Sequence, residues 1–257
     1  MDRNIDEMVA MMLGARKQGE PIPVLSQHFP ELTRDTAYAV QKAVIEAGLA
    51  DDDIAGYKMG ASSDEQQKSM GLNEPAAGVL LASGKRTGSP VIPISDFKLP
   101  FIETEIALVI GEVISEPPAD VAGFRSLCRG FMPAVELADP AFPDGAAPGG
   151  VDILAANVIA KQYILGEEKP HTGTDINEIE VTLSFNGSEI NRGRGNDALG
   201  DQWAAGFWLV RTMLKQGWRF EPGHIIMTGL LGNLALGQPG RYEADYGSAG
   251  CISFDIE

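Results

Sequence analysis

Apolar residues in the first quarter of the chain recur every three or four positions, which is the spacing of one helical face. Three helices are predicted here, over residues 4–19, over residues 33–48, and from residue 63 onward. Each begins at a residue whose side chain can cap a helix, namely Asn4, Thr33 and Ser63. Residues 56–60, which precede the third helix, are predicted to form a loop because they begin and end with glycine.

From about residue 76 the pattern changes to short strands separated by glycine and proline. Residues 179–185 alternate between apolar and polar side chains, and Asn186-Gly187 then predicts a tight hairpin turn. Residues 252–256 repeat the alternation. We therefore predict an α+β fold, with an N-terminal helical region at 1–75 and a β-rich catalytic domain at 76–257.

One amphipathic helix interrupts the predicted strands. It is expected to begin after the cap Asp201 and to end at Gly217, because glycine favours the conformation that follows a helix. The side chains predicted to face the core are Ala204, Phe207, Trp208 and Leu214.

Two glutamates lie one residue apart inside the apolar run 101–110. Successive side chains of a strand point to opposite faces, so Glu103 and Glu105 share one face. Like charges on adjacent sites of one face are unfavourable unless a cation lies between them or one carboxyl is protonated. Glu136, in a second apolar segment, can bring a third carboxylate to the same point.

Two interpretations of these carboxylates remain open from the residues alone. The first is an exposed sheet face on which Glu103 and Glu105 are solvated. The second is a buried site for Mg²⁺ or Mn²⁺, hard cations that prefer oxygen ligands. The role of Lys58 also has two interpretations. It is an ordinary loop residue between glycines, or it lies beside a metal and either binds a substrate carboxylate or exchanges a proton.

Composition narrows the class of function. A formal net charge of −16, without clustered Lys or Arg, excludes nucleic acid and anionic membranes as partners. No apolar run is long enough to span a bilayer, and the acidic N-terminus does not resemble a signal peptide, so a cytoplasmic protein is expected. With only two cysteines, the chain is not expected to contain a disulfide framework or a cysteine zinc site. The three histidines, His28, His171 and His224, do not have the spacing of metal ligands.

Several short segments together resemble one enzyme family through nearly the full length of the chain. In chain order they are Gly56-Tyr57-Lys58-Met59-Gly60, Gly71-Leu72-Asn73-Glu74-Pro75, Gly78-Val79-Leu80, Glu103-Thr104-Glu105-Ile106-Ala107, Ala134-Val135-Glu136, Asn157, Leu199-Gly200-Asp201, and Pro222-Gly223 leading to Met227-Thr228-Gly229. The chain resembles the 2-keto-4-pentenoate hydratase group of the fumarylacetoacetate hydrolase family, which also contains 4-oxalocrotonate decarboxylases.

The resemblance implies a mixed β-roll and Mg²⁺ or Mn²⁺ held at Glu103, Glu105 and Glu136, with Lys58 as the catalytic lysine. It implies a homo-oligomer, paired in some pathways with a paralogous enzyme. The implied reaction is hydration of a 2-hydroxy-2,4-dienoate, equivalent to a 2-oxo-enoate, through a metal-stabilised enolate in the catabolism of aromatic compounds.

Three alternatives accompany that expectation. One is decarboxylation of the 4-oxalocrotonate type, and another is acylpyruvate hydrolysis, for which His28 and Glu31 are a poor acid/base pair. The third is a noncatalytic ligand-binding or partner subunit with the same fold. It is favoured by apolar residues where the family usually has polar ones, namely Ala76, Ala160 and Leu230.

Overall fold

The computed structural model describes residues 3–257 and contains seven α-helices in that range. They are α1 (Arg3–Gln18), α2 (Leu25–His28), α3 (Arg34–Glu46), α4 (Asp64–Ser69), α5 (Val121–Ser126), α6 (Gly150–Ala155) and α7 (Gln202–Lys215). None of these helices combines the length and the apolar character needed to cross a membrane.

The three N-terminal helices predicted from the sequence are confirmed as α1, α3 and α4. The Thr33 side chain accepts a hydrogen bond from the Thr36 amide, and Ser63 forms a reciprocal capping box with Gln66. The structure differs at the start of α1, because this helix already includes Asn4 in its first turn. Asn4 therefore lies inside the helix instead of capping it.

In the same range, residues 3–257, thirteen strands form two sheets. The strands are β1 (Ile54–Gly60), β2 (Ala76–Leu81), β3 (Lys85–Arg86), β4 (Val91–Ile92), β5 (Phe101–Ile110), β6 (Cys128–Ala138), β7 (Gln162–Leu165), β8 (Glu180–Phe185), β9 (Ser188–Arg194), β10 (Ile225–Met227), β11 (Ala235–Leu236), β12 (Gly240–Asp245) and β13 (Cys251–Ile256). The larger sheet has the order β2-β1-β10-β5-β6-β7-β3, with β11 paired to β5. The smaller sheet has the order β4-β13-β12-β8-β9.

The smaller sheet confirms the hairpin predicted from Asn186-Gly187, since β8 and β9 are antiparallel neighbours joined at these two residues. It also confirms the C-terminal alternation, because β13 buries Ile252, Phe254 and Ile256. The predicted division into regions 1–75 and 76–257 stays a prediction. Within it, β1 belongs to the first region by number but is a member of the large sheet.

The prediction of a loop at 56–60 is wrong, because these residues lie on β1, between β2 and β10. The glycines reflect close packing instead of a turn. A β-carbon on Gly56 would lie 2.0 Å from the Ile225 carbonyl oxygen of the neighbouring strand. Pairing on both edges outweighs the low strand propensity of glycine.

The predicted buried face of α7 is also wrong. Its cap is Asp201, as expected, and its side chain accepts from the Ala204 amide. Yet the four residues predicted to face the core, Ala204, Phe207, Trp208 and Leu214, are only partly buried. The buried face is centred on Gly206, where a β-carbon would approach Leu108 and Phe124 to 2.7 Å. The helix therefore turns its smallest residue toward the sheet, which allows the closest approach.

The large sheet has two different faces. One face carries Tyr57, Met59, Ile106, Leu108 and Val135, all buried in the main hydrophobic core. The strand registers place a second set of residues together on the opposite face, which we call the carboxylate face: Lys58, Glu103, Glu105, Ala107, Glu136, Tyr163 and Met227. A smaller, separate apolar cluster occupies part of this face. The acidic residues therefore lie beside a second, dry core.

Candidate metal centre

The central pair of strands in the large sheet brings the predicted carboxylates together. Antiparallel β5 and β6 place Glu103 directly opposite Glu136, and Glu105 follows two residues along β5 on the same face. One carboxylate oxygen from each of these three residues lies within 4.8 Å of the others. The register of β5 and β6 therefore brings the three carboxylates together, as the sequence predicts.

Burial distinguishes this cluster from a solvated sheet face. Glu105 and Glu136 are 0% exposed, and Glu103 is partly buried. Glu105 Oε1 and Glu136 Oε1 are enclosed, and neither has a hydrogen-bond partner. Buried carboxylate oxygens without partners carry a large desolvation cost, so this cluster is incomplete without a further positive charge.

Lys58 supplies one positive charge to the cluster. It lies on β1, 1% exposed, with its Nζ 2.7 Å from Glu136 Oε2. The same ammonium donates a hydrogen bond to the Val158 carbonyl oxygen at 3.2 Å. Gly56 and Gly60 precede and follow it on the carboxylate face, so no neighbouring side chain of β1 crowds the ammonium.

The pKa values of Glu103, Glu105 and Lys58 are all raised, which reflects the excess of negative charge in the cluster. Burial raises the pKa of Glu103 to about 7, with the Lys58 charge opposing and the Glu136 charge adding to the effect. Burial, followed by the charges of Glu136 and Glu103, holds the pKa of Glu105 well above its ordinary value. Burial alone would lower the pKa of Lys58, but the three glutamates outweigh it and raise that pKa. The lysine is therefore an ammonium at neutral pH.

The donor set fits a hard divalent cation. Three carboxylates and one ammonium leave two negative charges, which a divalent ion would neutralise. All three ligands are oxygens, the type that Mg²⁺ and Mn²⁺ prefer, and two oxygens already lack partners. Three protein ligands also leave coordination positions for water or substrate. No other group of three potential ligands converges among residues 3–257.

Further contacts orient Glu105, and the sequence patterns did not reveal them all. Its Oε2 accepts a hydrogen bond of 2.7 Å from the Gly229 amide, within a segment already noted for its family resemblance. Tyr246 is buried and donates its hydroxyl proton to the carbonyl oxygen of Ala134, the residue that pairs with Glu105 across β5 and β6. No sequence pattern indicates Tyr246, because its hydrogen bond to Ala134 depends on tertiary packing.

The remaining candidates do not join the cluster. His28 and Glu31 are both exposed, which does not suit a shielded acid/base pair. His171 Nε2 lies 3.0 Å from the Cys128 carbonyl oxygen, and the His224 ring accepts from the Glu221 amide. The histidines therefore have local structural contacts and do not contribute to the carboxylate site.

The three unusual apolar positions are largely enclosed. Ala76 is 1% exposed and pairs with Gly60 across β1 and β2, and Leu230 is 6% exposed, next to the Gly229 amide that binds Glu105. Ala160 is partly buried against the small apolar cluster.

Comparison with known proteins defines the class. Residues 57–248 match the family described as fumarylacetoacetate (FAA) hydrolase C-terminal, and the chain belongs to this family. The fold confirms the expected mixed β-roll with N-terminal helices. The 4-oxalocrotonate decarboxylase from Pseudomonas putida G7, complexed with magnesium and adipate, superposes with a TM-score of 0.93 at 23% identity, covering 100% of this chain and 98% of that one.

Curated relatives match along nearly the whole chain. It is 28% identical over 256 residues to the 2-keto-4-pentenoate hydratase of Paraburkholderia xenovorans strain LB400, covering 98% of this chain and 94% of the relative. It is also 28% identical over 262 residues to the 2-oxo-hept-4-ene-1,7-dioate hydratase of Escherichia coli, covering 98% of both. A manganese- and pyruvate-bound fumarylpyruvate hydrolase from Pseudomonas aeruginosa superposes with a TM-score of 0.59 at 13% identity, covering 78% and 88%.

Proposed function

We propose that this protein is a divalent-metal-dependent hydratase that adds water to a 2-hydroxy-2,4-dienoate, equivalent to a 2-oxo-enoate, in the breakdown of aromatic compounds. The observation that carries the proposal is the convergence of Glu103, Glu105 and Glu136 beside Lys58, with buried, unpartnered oxygens on Glu105 and Glu136. The full-length similarity to hydratases of such substrates supports the same reaction. Mg²⁺ or Mn²⁺ is the proposed ion.

The three glutamates would hold the ion, and Lys58 would hold the substrate. When bound, the divalent ion supplies the positive charge that stabilises the enolate of a 2-oxo acid. The ammonium of Lys58 has three N–H donors, and it forms an ion pair with Glu136 and a hydrogen bond to the Val158 carbonyl. A remaining N–H can pair with the substrate carboxylate or deliver a proton to the substrate.

The surroundings of the site are largely apolar. The small apolar cluster on the carboxylate face includes Leu80, Ala107, Ala134 and Met227, each at most 2% exposed. Charge interactions are stronger in such an environment, so one ammonium has a large influence on a nearby carboxylate. The raised pKa of Lys58 keeps that proton available at neutral pH.

The experiment follows the loss of dienol absorbance for a panel of 2-hydroxy-2,4-dienoates, with EDTA or with Mg²⁺ or Mn²⁺. Turnover is expected only with the metal. Glu105→Gln keeps the size of the side chain but removes its charge, and activity should be lost. Glu243→Gln, at an exposed position on β12, is the matched control and should retain it. Absence of turnover across the panel would refute the proposal.

The same experiment separates the alternatives. Release of carbon dioxide from a vinylogous 2-oxo diacid would indicate a decarboxylase instead. Binding of metal and oxalate without any turnover, or turnover only when a paralogous chain is added, would indicate a noncatalytic partner subunit. Acylpyruvate hydrolysis is disfavoured because His28 and Glu31 are both exposed.

A further inference from the structure

Three consecutive residues beside the carboxylate site have left-handed backbone conformations. The φ angles of Asn157, Val158 and Ile159 are 56°, 51° and 54°. Two of the three are β-branched, for which positive φ is a marked outlier. Strain of this kind persists only where the surrounding structure enforces it, and it concentrates at functional sites.

The centre of this turn contacts the predicted catalytic lysine. The carbonyl oxygen of Val158 accepts the hydrogen bond from Lys58 Nζ at 3.2 Å, inside the protein. Apart from Glu136, it is the acceptor that the structure provides for this ammonium. Glu136 is one of the three proposed metal ligands and the Val158 carbonyl is not, so this carbonyl would remain available to Lys58 when an ion is bound.

Asn157 holds the turn in place. Its side chain donates to the Val79 carbonyl at 2.8 Å and accepts from the Val79 amide at 2.7 Å. Val79 lies on β2, the edge strand of the sheet, so the asparagine amide takes the place of a neighbouring strand. At the other end of the turn, the Ile159 carbonyl accepts from the Asp139 amide at 3.0 Å.

Two glycines make room for the turn. A β-carbon on Gly60 would lie 2.4 Å from Val158 Cγ1, and one on Gly78 would lie 2.9 Å from the Asn157 carbonyl oxygen. Neither glycine has a positive φ. Space for the turn, and not backbone freedom, therefore requires glycine at both positions.

We propose that the Asn157–Ile159 turn is a positioning element for Lys58, and that Asn157 acts through the Val158 carbonyl to fix the direction of the ammonium. The proposal rests on the proposed function, in which Lys58 meets the substrate. It assigns Asn157 a role in the reaction although its side chain bonds only to the main chain of β2. The strained turn directs one carbonyl at the lysine and leaves one N–H of Lys58 aimed at the substrate.

The test compares two asparagines that are bonded in the same manner. Asn177 also makes one donor and one acceptor bond through its side chain, to Asp201 Oδ2 at 2.7 Å and from the Gln202 amide at 2.8 Å, at the start of α7. Asn157→Ala and Asn177→Ala should lower stability to a similar extent. Only Asn157→Ala should reduce kcat/KM, by about tenfold or more, because it releases a hydrogen bond to a charged group.

A double-mutant cycle shows whether Asn157 acts through the lysine. In a Lys58→Met background, Asn157→Ala should cause no further loss of kcat/KM, whereas its effect on stability should persist. Additive losses of kcat/KM would overturn the proposal, as would equal losses in Asn157→Ala and Asn177→Ala. If Asn157→Ala does not fold, Asn157→Asp replaces it, since this variant keeps the acceptor oxygen, although it exchanges the donor for a charged oxygen facing the Val79 carbonyl.

A spectroscopic measurement tests the same proposal without requiring the protein to turn over a substrate. In ¹H–¹⁵N spectra of lysine ammonium groups, a buried and hydrogen-bonded Lys58 should give a slowly exchanging signal that is absent in Lys58→Met. The signal should be lost or broadened in Asn157→Ala and retained in Asn177→Ala; an unchanged signal in folded Asn157→Ala would overturn the proposal. If the wild type turns over no dienoate, the proposed hydratase function fails, and this measurement alone decides the role of the turn.

Discussion

Replacing Glu103 by glutamine should stabilise the metal-free protein at alkaline pH. Folding raises the pKa of Glu103 from 4.5 to about 7, so the folded protein retains a proton that the unfolded chain loses. Between these pH values unfolding releases a proton, and stability therefore falls as the pH rises. The change in pKa corresponds to about 3 kcal/mol, which is fully lost above pH 7.

Glu103→Gln carries a neutral side chain of the same size and mimics the protonated acid at every pH. Below about pH 4.5 the variant and the wild type should be equally stable, because both are neutral at this position. At about pH 8, with EDTA present, the variant should be more stable by up to about 3 kcal/mol. Excess Mg²⁺ should reverse the order, because the ion binds and stabilises the wild type more strongly than the variant.

Urea unfolding followed by circular dichroism measures both differences, at the two pH values and with EDTA or Mg²⁺. Comparing the variant with the wild type removes the contribution of titrating groups distant from Glu103, whereas Glu105 and Lys58, whose pKa values depend on the Glu103 charge, change together with it. The reasoning is refuted if Glu103→Gln is less stable than the wild type at about pH 8 without metal. It is also refuted if Mg²⁺ stabilises both proteins equally.

Three further substitutions test the framework of the site by urea unfolding. Gly60→Ala should destabilise by about 1–3 kcal/mol, because the new methyl group would overlap Val158 Cγ1; wild-type stability would contradict the packing described. Tyr246→Phe should cost about 1–3 kcal/mol by leaving the Ala134 carbonyl without its donor, and an unchanged midpoint would show that this bond contributes nothing. Asp201→Ala removes the cap of α7 and should cost about 1 kcal/mol while metal affinity stays the same; a weaker affinity would mean that the helix supports the site.

The carboxylate site was predictable because its geometry follows from strand periodicity. Glu103 and Glu105 must share a face of any strand, whereas the residues alone left open whether that face is buried or solvated. Helix caps were predictable for a similar reason, since Thr33 and Ser63 act on residues three positions away. Local chemistry was sufficient in both cases.

Features that depend on distant packing were not predictable in this way. Residues 56–60 resembled a loop because glycine disfavours strands, and only the approach of β10 explains why glycine is needed there. The buried face of α7 differs from the predicted one because the close approach of Gly206 to Leu108 and Phe124 outweighs the burial of the larger apolar residues. The hydrogen bond from Lys58 to the Val158 carbonyl could not be predicted from residue types, since every residue has a main-chain carbonyl. Gly60 and Gly78, which accommodate its turn, were the available signal.

The direct opposition of Glu103 and Glu136 also bears on how the sheet is assembled. Sliding β5 by a single position against its neighbours would reverse every side chain on it and turn its two glutamates, Glu103 and Glu105, toward the main hydrophobic core. In that arrangement the three carboxylates would no longer converge. The polarity of β5 therefore disfavours any register shifted by one residue, in addition to the loss of its paired hydrogen bonds.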